Sequence, residues 1–332
     1  MENEIIRTLK GTPKHLSKTG SLDSFTYLMM NLPYECNFRC KKCFNLVDGR
    51  PRKYDKLISL EKRIDLIEQA KEIGGKVVVF AGEGEPNLNK DINEMVEYTN
   101  KSNMIPIIYS NGSTLTKERI EFYKKNNSSI IFALDSIKEN VFSMKSFEKG
   151  IFPKTIINMT RTIDSFKKIA YREDNLEVLS VAVNSTVNDL NLNEIKTLKS
   201  FWKEDAYYIC NPVAKFGNAI NNWGVLRGEL KDEIIYAVAK ENSETGGPLT
   251  LDKEGLCGYS AYGISISPGG DYMTCAYTNQ TDGFFGNVGE IKLKEAWENK
   301  HEKEFLHYKK FGNVPCLIRD DSFEKYLEQL KK

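Results

Sequence analysis

Short apolar runs alternate with amphipathic segments along most of this chain. Between Phe25 and about Pro212 the apolar runs are FTYLMMNL, KVVVFAG, MIPIIYS, SIIFAL, LEVLSVAV and AYYICNP. The four middle runs are almost continuously apolar and rich in β-branched residues, as buried parallel strands are. The segments between the runs carry apolar residues at helical spacing, for example Ile64, Ile67 and Ala70. The pattern predicts an α/β fold, a partial (β/α)6 TIM-like barrel of six strands joined by helices.

The pattern changes after Gly217. A helical stretch near 230–241 leads to a Gly-Gly-Pro break, and the alternating runs AYGISIS and YMTCAYT then flank the turn sequence PGGD. Such a turn between two alternating runs indicates a hairpin, and a final helix is expected over about 293–306. We therefore predict a small C-terminal domain made of a hairpin and a helix. The expected division is 1–24 (N-terminal extension), 25–217 (partial barrel), 218–250 (linker with a helix) and 251–332 (C-terminal domain).

Composition and charge narrow the class of protein. The 332 residues exceed the usual size of one domain, which fits a barrel with an appendage. Lys and Arg number 47 against 46 Asp and Glu, so the chain has no overall basic character for binding nucleic acid. Seven cysteines are an odd number for a disulfide framework and suit metal chemistry in a reducing cytosol. Without a signal-type segment or a long apolar run, we expect a soluble cytoplasmic protein without a membrane partner.

Three cysteines share one short loop directly after the first apolar run. Cys36, Cys40 and Cys43 stand in the sequence CNFRCKKCF. Three thiolates on one loop can hold three irons of a [4Fe-4S] cluster and leave the fourth iron open to a small molecule. A zinc knuckle is the alternative, but zinc takes four ligands and none of the three histidines is near this loop. We therefore favour the cluster.

Polar residues and glycines follow the next two runs, where the chemistry of a β/α barrel is located. The sequence FAGEGEPNLN places Gly82 and Gly84 where the backbone can turn tightly, and Glu85 adds a carboxylate. A ligand with a free amine and a free carboxylate could pair with this turn. Ser110 and Asn111, in YSNGSTL, can bond ribose hydroxyls or a carboxylate, although Asn-Gly is also an ordinary turn pair.

The last three runs of the barrel end in further candidate residues. Asp135 and Ser136 follow the fourth run and Asn184 follows the fifth, which directs all three toward the expected mouth of the barrel. Ser136 could instead begin a helix as its N-cap. The sixth run places Cys210 at the rim of the barrel.

The remaining cysteines are Cys257, Cys275 and Cys316. Cys275 lies on the second strand of the expected hairpin, with one cysteine before the hairpin and one after the last helix. These three thiolates could hold a second cluster, with Cys210 as a possible fourth ligand. Three unrelated buried thiols are the alternative, because free cysteines are common in protein cores.

The motifs resemble those of the radical S-adenosylmethionine (SAM) superfamily. CNFRCKKC resembles its CxxxCxxC loop and GEGEP its Gly-Gly-Glu-Pro motif. The pattern Cys257–x12–Gly270–x4–Cys275 resembles the start of the SPASM extension, or of the shorter twitch extension, which holds auxiliary clusters. The resemblance covers roughly Phe25 to Leu317. One departure is Lys42, where the family usually has an aromatic residue.

The resemblance implies two cofactors and an auxiliary centre. Cys36, Cys40 and Cys43 would hold a [4Fe-4S] cluster that binds S-adenosylmethionine, and Cys257, Cys275 and Cys316 would hold an auxiliary [4Fe-4S] cluster. Gly84 and Glu85 would lie against the methionine amine. The residues implied as cofactor contacts are Gly82, Gly84, Glu85, Ser110, Asn111, Asp135, Ser136 and Asn184.

The implied activity is reductive cleavage of S-adenosylmethionine to a 5′-deoxyadenosyl radical, which abstracts a hydrogen atom from a substrate. The expected substrate is a small polar metabolite of the amino-sugar or aminocyclitol type, or a peptide, and the auxiliary cluster would assist an oxidation. A reductant such as flavodoxin or ferredoxin is the expected partner. One alternative is a ribosomal-peptide maturase or an epimerase with Cys210 as hydrogen donor. Another, of a different class, is a non-catalytic metal-binding scaffold.

Overall fold

The fold is described from a computed structural model. It describes residues 6–16, 24–142, 150–173, 175–202, 204–226, 230–245, 262–276 and 284–311. None of the helices within these ranges is long and apolar enough to cross a membrane.

The strands are short and spread along the whole described chain. They are β1 (Ile6–Leu9), β2 (Tyr27–Leu32), β3 (Leu46–Val47), β4 (Arg50–Pro51), β5 (Val77–Gly82), β6 (Ile105–Ser110), β7 (Ser129–Ala133), β8 (Tyr171–Glu173), β9 (Leu176–Leu179), β10 (Val181–Val187), β11 (Tyr207–Pro212), β12 (Gly263–Ile266), β13 (Asp271–Met273) and β14 (Phe284–Asn287).

Helices separate most of these strands. They are α1 (Pro13–Leu16), α2 (Leu60–Glu72), α3 (Ile92–Lys101), α4 (Lys117–Lys125), α5 (Glu139–Phe142), α6 (Ile151–Lys167), α7 (Ile195–Phe201), α8 (Asn218–Asn221), α9 (Trp223–Leu226), α10 (Lys231–Thr245) and α11 (Leu293–Phe311).

Six parallel strands form the centre of the molecule. The main sheet has the order β11-β10-β7-β6-β5-β2-β12-β13-β14, and every pair from β11 to β2 is parallel. The α/β class and the six-strand parallel sheet predicted from the apolar runs are confirmed. The sheet is open in the described part of the chain, with β11 at one edge and β14 at the other. The carboxyl ends of the six strands therefore meet along one edge of an open layer.

Both faces of the parallel strands are buried. Val78 and Phe80 of β5 belong to the core cluster that includes the helices, while Val77 and Val79 belong to a second cluster on the inner face of the sheet. Successive side chains of a strand point to opposite faces, so a strand covered on both faces needs apolar residues at every position. This explains why the sequence shows continuous apolar runs rather than alternation.

The N-terminal segment closes the amino end of the inner face. β1 pairs in parallel with β9, and the buried side chain of Leu9 joins the inner cluster. The Tyr27 hydroxyl donates a hydrogen bond to the Gly11 carbonyl at 2.9 Å. The run LEVLSVAV, predicted as one strand, is divided at Ser180 into β9 and β10, because β9 pairs with β1 in a separate small sheet while β10 pairs with β7.

The C-terminal hairpin continues the barrel sheet. β12 pairs in parallel with β2, and β13 pairs antiparallel with β12 across the predicted PGGD turn. The final helix packs against α2, where the Leu293 amide donates to the Gln69 side chain at 2.9 Å. The hairpin and the helix beginning at Leu293 are thus confirmed, and the hairpin shares one sheet with the strands of the barrel.

Candidate active site

The cysteine loop follows β2 at the carboxyl edge of the sheet. Cys36, Cys40 and Cys43 are half-buried and not joined in disulfides. The Cys43 amide donates to the Cys40 carbonyl at 3.1 Å, which curls the second half of the loop. Burial raises the pKa of the Cys36 thiol to about 11 and also raises the pKa of Cys43. A positively charged metal centre is the kind of neighbour that would favour the thiolate forms here.

The Gly-Glu-Gly-Glu-Pro turn after β5 packs on one side of this loop. The Glu85 amide donates to the Glu35 carbonyl at 2.7 Å, and the Asn45 side-chain amide donates to the Gly82 carbonyl at 2.9 Å. A Cβ atom on Gly84 would collide with the backbone of Glu35. Gly84 is therefore required for the close approach of the two loops.

A segment after β11 holds the other side of the loop. The Asn218 amide donates to the Cys43 carbonyl at 2.9 Å and its side chain to the Cys40 carbonyl at 3.2 Å. Gly217, with φ +53°, leaves no space for a Cβ beside the carbonyls of Cys43 and Phe44. Sequence reasoning missed these residues, and their only signal was a Gly-Asn pair shortly after the sixth strand.

The Glu85 carboxylate is fully engaged by the protein itself. Its Oε1 accepts from the Asn87 side chain at 2.5 Å and from the Ser110 hydroxyl at 2.8 Å, and its Oε2 accepts from the Asn111 amide at 2.6 Å. Burial nevertheless raises the pKa of Glu85. The structure therefore brings together Glu85, Ser110 and Asn111 in a network that fixes the ends of β5 and β6.

The β6 exit also contacts the cysteine loop. The Asn111 side-chain amide donates to the Asn37 side-chain oxygen at 3.0 Å, and the Asn37 side-chain amide donates to the Ser113 hydroxyl at 2.9 Å. Asn37 is the residue directly after Cys36. The first cysteine is thus placed by the turn after β5 on one side and by the β6 exit on the other.

Lys42 and Asp135 form an ion pair across the carboxyl edge of the sheet. Their atoms Nζ and Oδ1 are 2.6 Å apart, and both side chains are largely buried. The Asp135 carboxylate also accepts from the Thr186 amide at 3.0 Å. Ser136 lies apart from this pair, because its hydroxyl donates to the buried carboxylate of Glu194. Asp135 therefore contacts the cysteine loop through Lys42, while Ser136 accepts from the Lys138 amide at the start of the following segment.

Asn184 and Cys210 lie on opposite faces of neighbouring strands. The Asn211 side-chain amide donates to the Asn184 side-chain oxygen at 3.1 Å, close to the carboxyl edge. Cys210 is completely buried in the core cluster that contains the helices, and burial raises its pKa. Because Cys210 and Asn211 are adjacent on β11, their side chains point in opposite directions. The structure brings Asn184 to the site and does not bring Cys210 there.

Glu83 is a further residue that sequence reasoning missed. It is buried between Gly82 and Gly84, and the Tyr54 hydroxyl donates to its Oε1. The Arg52 guanidinium lies 3.9 Å from the same oxygen. The other oxygen, Oε2, has no hydrogen-bond partner among the described residues. Burial raises the pKa of Glu83. The repeated Gly-Glu in the sequence was the available signal.

The predicted auxiliary ligands are only partly within the described residues. Cys257 and Cys316 lie outside them. Cys275 is half-buried, two positions beyond the end of β13. Because β13 runs antiparallel to β12 and β12 runs parallel to β2, Cys275 lies toward the amino end of β2, away from the cysteine loop at its carboxyl end.

The donor set of the cysteine loop fits an iron–sulfur cluster. Among the described residues, no group of three or more His, Cys, Asp and Glu side chains is arranged to hold a metal ion. A four-iron cluster distributes its thiolates over different irons, so its ligands need not converge on one point. Three thiols on one loop that are not joined in disulfides, without a nearby histidine or fourth cysteine of the described chain, match a cluster with one open iron.

Comparison with known proteins gives a family match for the central region. Residues 30–192 match the model of the radical SAM superfamily. The Fe-coproporphyrin III synthase of Methanosarcina barkeri is 24% identical over 200 residues, which are 60% of this chain and 46% of that protein. An S-adenosylmethionine-dependent nucleotide dehydratase of Flammeovirga pacifica is 27% identical over 161 residues, 48% of this chain and 52% of that protein. The chain spans about half the length of these curated relatives.

Solved structures share the fold over most of the chain. SuiB of Streptococcus suis, bound to S-adenosylmethionine, superposes with a TM-score of 0.61 at 14% identity, covering 95% of this chain and 70% of that one. The structure of native anSMEcpe with bound AdoMet has a TM-score of 0.64 at 14% identity, covering 92% and 95%. At this identity the likeness concerns the fold.

Proposed function

Residues 30–192 form a radical SAM superfamily domain, and from this premise we propose that the protein cleaves S-adenosylmethionine reductively and abstracts a hydrogen atom from a substrate. When bound, the [4Fe-4S] cluster and S-adenosylmethionine supply the electron transfer and the 5′-deoxyadenosyl radical. The observation that carries the proposal is the cysteine loop, held in place by Gly84 on one side and Asn218 on the other.

Each residue group of the site has a separate proposed task. Cys36, Cys40 and Cys43 would hold three irons. Glu85 would fix the shape of the turn rather than bind the methionine amine through its side chain, because both of its oxygens already accept hydrogen bonds from the protein. The methionine amine would then meet the turn beside Gly84.

Further groups would receive the rest of S-adenosylmethionine. Asn111 and Asn184 offer amide groups at the carboxyl ends of β6 and β10. Lys42 stands where the family usually has an aromatic residue. We propose that its ion pair with Asp135 bounds the adenosyl side of the site. Holding these groups rigidly and excluding water is the contribution of the protein.

The proposed substrate is a peptide or a small polar metabolite, including the amino-sugar class. SuiB, which shares this fold, has been solved with its precursor peptide SuiA. Two of the curated relatives are, by name, a nucleotide dehydratase and a GTP 3′,8-cyclase. An auxiliary cluster held by Cys275 together with Cys257 and Cys316 would assist an oxidation. Epimerisation with Cys210 as hydrogen donor is not proposed, because Cys210 lies on the helix-covered face.

Anaerobic reconstitution tests the proposal. We expect about four irons per chain from the first cluster alone and about eight if the auxiliary cluster also forms. Dithionite and S-adenosylmethionine should then yield 5′-deoxyadenosine, measured by chromatography and mass spectrometry. Cys36→Ala should abolish this product, while the control Cys210→Ala should retain it.

A different result would select another class of protein. Zinc in place of iron, or a cluster that does not cleave S-adenosylmethionine when reduced, would contradict the enzyme and favour a metal-binding scaffold.

A further inference from the structure

The segment that contains the cysteine loop has an unusual charge. Residues 39–56 contain seven Lys or Arg and two Asp, a net charge of +5, whereas the whole chain carries +1. A charge run is usually a solvated surface, so the position and the partners of these cations decide whether they have a function.

Some of these cations serve the fold. Lys42 pairs with Asp135, and the Arg39 guanidinium donates to the Cys36 carbonyl at 2.6 Å. Others have no such task. The side chains of Arg50, Lys53 and Lys56 are exposed, and within the described part of the chain none of them lies within 4.0 Å of a carboxylate. Three such cations thus follow the third cysteine within thirteen residues.

Apolar side chains are exposed beside these cations. Val47, on the β3–β4 hairpin, is 53% exposed, and Ile220 on α8 is 54% exposed. The two elements are in contact, because the Asn221 side-chain amide donates to the Asp48 carboxylate at 3.0 Å. Val225 on α9 is a third exposed apolar residue of the same region. Arg50 pairs with Val47 across the β3–β4 hairpin. Single exposed apolar residues are ordinary, but several on touching elements with a cation beside them are typical of an interaction surface.

This surface also adjoins the cluster loop directly. The same α8 segment that carries Ile220 holds the loop through Asn218, which donates to the carbonyls of both Cys40 and Cys43. Asn222 donates to the Lys41 carbonyl at 3.4 Å. A protein seated here would therefore lie beside two of the three cluster ligands, which is where an electron must enter.

We propose that this surface docks an acidic electron-carrier protein. We call the surface the basic rim and define it as residues 46–56 and 218–225. The inference rests on the proposed function: one electron leaves the reduced carrier for each S-adenosylmethionine cleaved, and the sulfonium takes it up as its carbon–sulfur bond breaks. Complementary charge accelerates such encounters, and electron-transfer complexes use small interfaces.

The test compares two triple variants with the same change in charge. Arg50→Glu/Lys53→Glu/Lys56→Glu reverses the basic rim. Lys117→Glu/Lys125→Glu/Lys168→Glu reverses exposed lysines on and near α4 and α6, outside the rim, and serves as the matched control. Reduction of the reconstituted cluster by reduced flavodoxin, an acidic carrier, is followed by stopped-flow absorbance at low and high salt. Binding of oxidised flavodoxin is measured by calorimetry.

The rim variant is expected to be reduced about tenfold more slowly than the wild type at low salt. Its rate should rise with salt instead of falling, because the reversed rim repels the acidic carrier and salt screens this repulsion. The control should behave as the wild type, and dithionite, a small reductant, should drive 5′-deoxyadenosine formation equally in all three proteins. Unchanged reduction and binding of the rim variant would overturn the proposal.

Two further outcomes would give the basic rim a different role. Loss of the dithionite-driven reaction in the rim variant alone would assign the rim to the active site and overturn docking. Binding of inorganic triphosphate that the rim variant abolishes, with unchanged flavodoxin rates, would assign the rim to an anionic substrate instead. Failure of the wild type with dithionite would overturn the proposed function itself.

Discussion

Glu83 and Glu85 stand on either side of one glycine and differ in their hydrogen bonding. Three side-chain or backbone donors at 2.5–2.8 Å satisfy the Glu85 carboxylate, whereas Oε2 of Glu83 has no partner among the described residues. A buried polar atom without a partner costs about 1–3 kcal/mol, so such an atom at a site invites a ligand donor. At the scale of single residues, Glu85 builds the site and Glu83 has a lone pair left to offer.

The same scale explains a pH dependence of stability. Lys10 is buried, and burial lowers its pKa from 10.5 to about 8. Between these two values the unfolded chain binds more protons than the folded chain, so the free energy of unfolding should rise with pH. Lys10→Met should remove a rise of about 1–3 kcal/mol across this interval. Urea unfolding under reducing conditions at several pH values measures it.

The control for this prediction is Lys125→Met, at an exposed position on α4. This variant should keep the pH dependence of the wild type. If the wild type and Lys10→Met gave parallel curves, the burial of the Lys10 ammonium would not be the cause.

At the scale of elements, the site is formed by loops that contact one another at the carboxyl edge of the sheet. The register of the sheet places Leu32 opposite Gly82, so the loops after β2 and β5 start side by side. Sequence reasoning placed both loops at the carboxyl ends of barrel strands, and consecutive parallel strands usually pair. It could not predict that Asn218 contacts the same loop, because no periodicity links residues so far apart. Nor could it show that Cys210 points away, since that depends on which face of β11 meets the helices.

Gly84→Ala tests the contact between the two loops. The new Cβ would collide with the Glu35 backbone, which cannot move without moving Cys36. We expect the variant to bind less than half of the wild-type iron, with about 1–3 kcal/mol lost from the free energy of unfolding. Iron quantitation after anaerobic reconstitution and urea unfolding measure both effects.

Gly224→Ala is the matched control, because a Cβ at Gly224 meets nothing within 4 Å. Its iron content should equal that of the wild type. Full iron binding by Gly84→Ala would show that the cysteine loop tolerates displacement and that its close packing against Gly84 is not required.

At the scale of the molecule, segments from both ends of the chain pack onto the six central strands. The N-terminal stretch, predicted as a polar extension, supplies β1 and the buried Leu9, while the C-terminal hairpin adds β12 to the edge of β2. The six apolar runs were sufficient to predict the centre of the sheet. They could not predict β1, because a short strand in a polar context gains its burial only from the elements that it covers.

Leu9→Ala tests how much β1 contributes to the core on the inner face of the sheet. Leu9 is fully buried against the inner face, so its truncation should cost about 2–5 kcal/mol of the free energy of unfolding. Ile6→Ala, on the same strand at a position that is 38% exposed, should change it by about 0.5 kcal/mol or less. Chemical denaturation compares the two. If the two variants lost equal free energy of unfolding, β1 would contribute hydrogen bonds between strands but no buried core.

The contacts between the cysteine loop and the segment after β11 also constrain how the protein is made. Residues 40 and 218 are hydrogen-bonded although 178 positions separate them, and residues 41 and 222 are hydrogen-bonded across 181 positions. A nascent polypeptide emerging from the ribosome exposes its three thiols long before their anchor has been translated. Cluster delivery by the cell's assembly machinery is therefore expected to follow synthesis of this distant segment, and a chain truncated before it would remain a poor acceptor of iron.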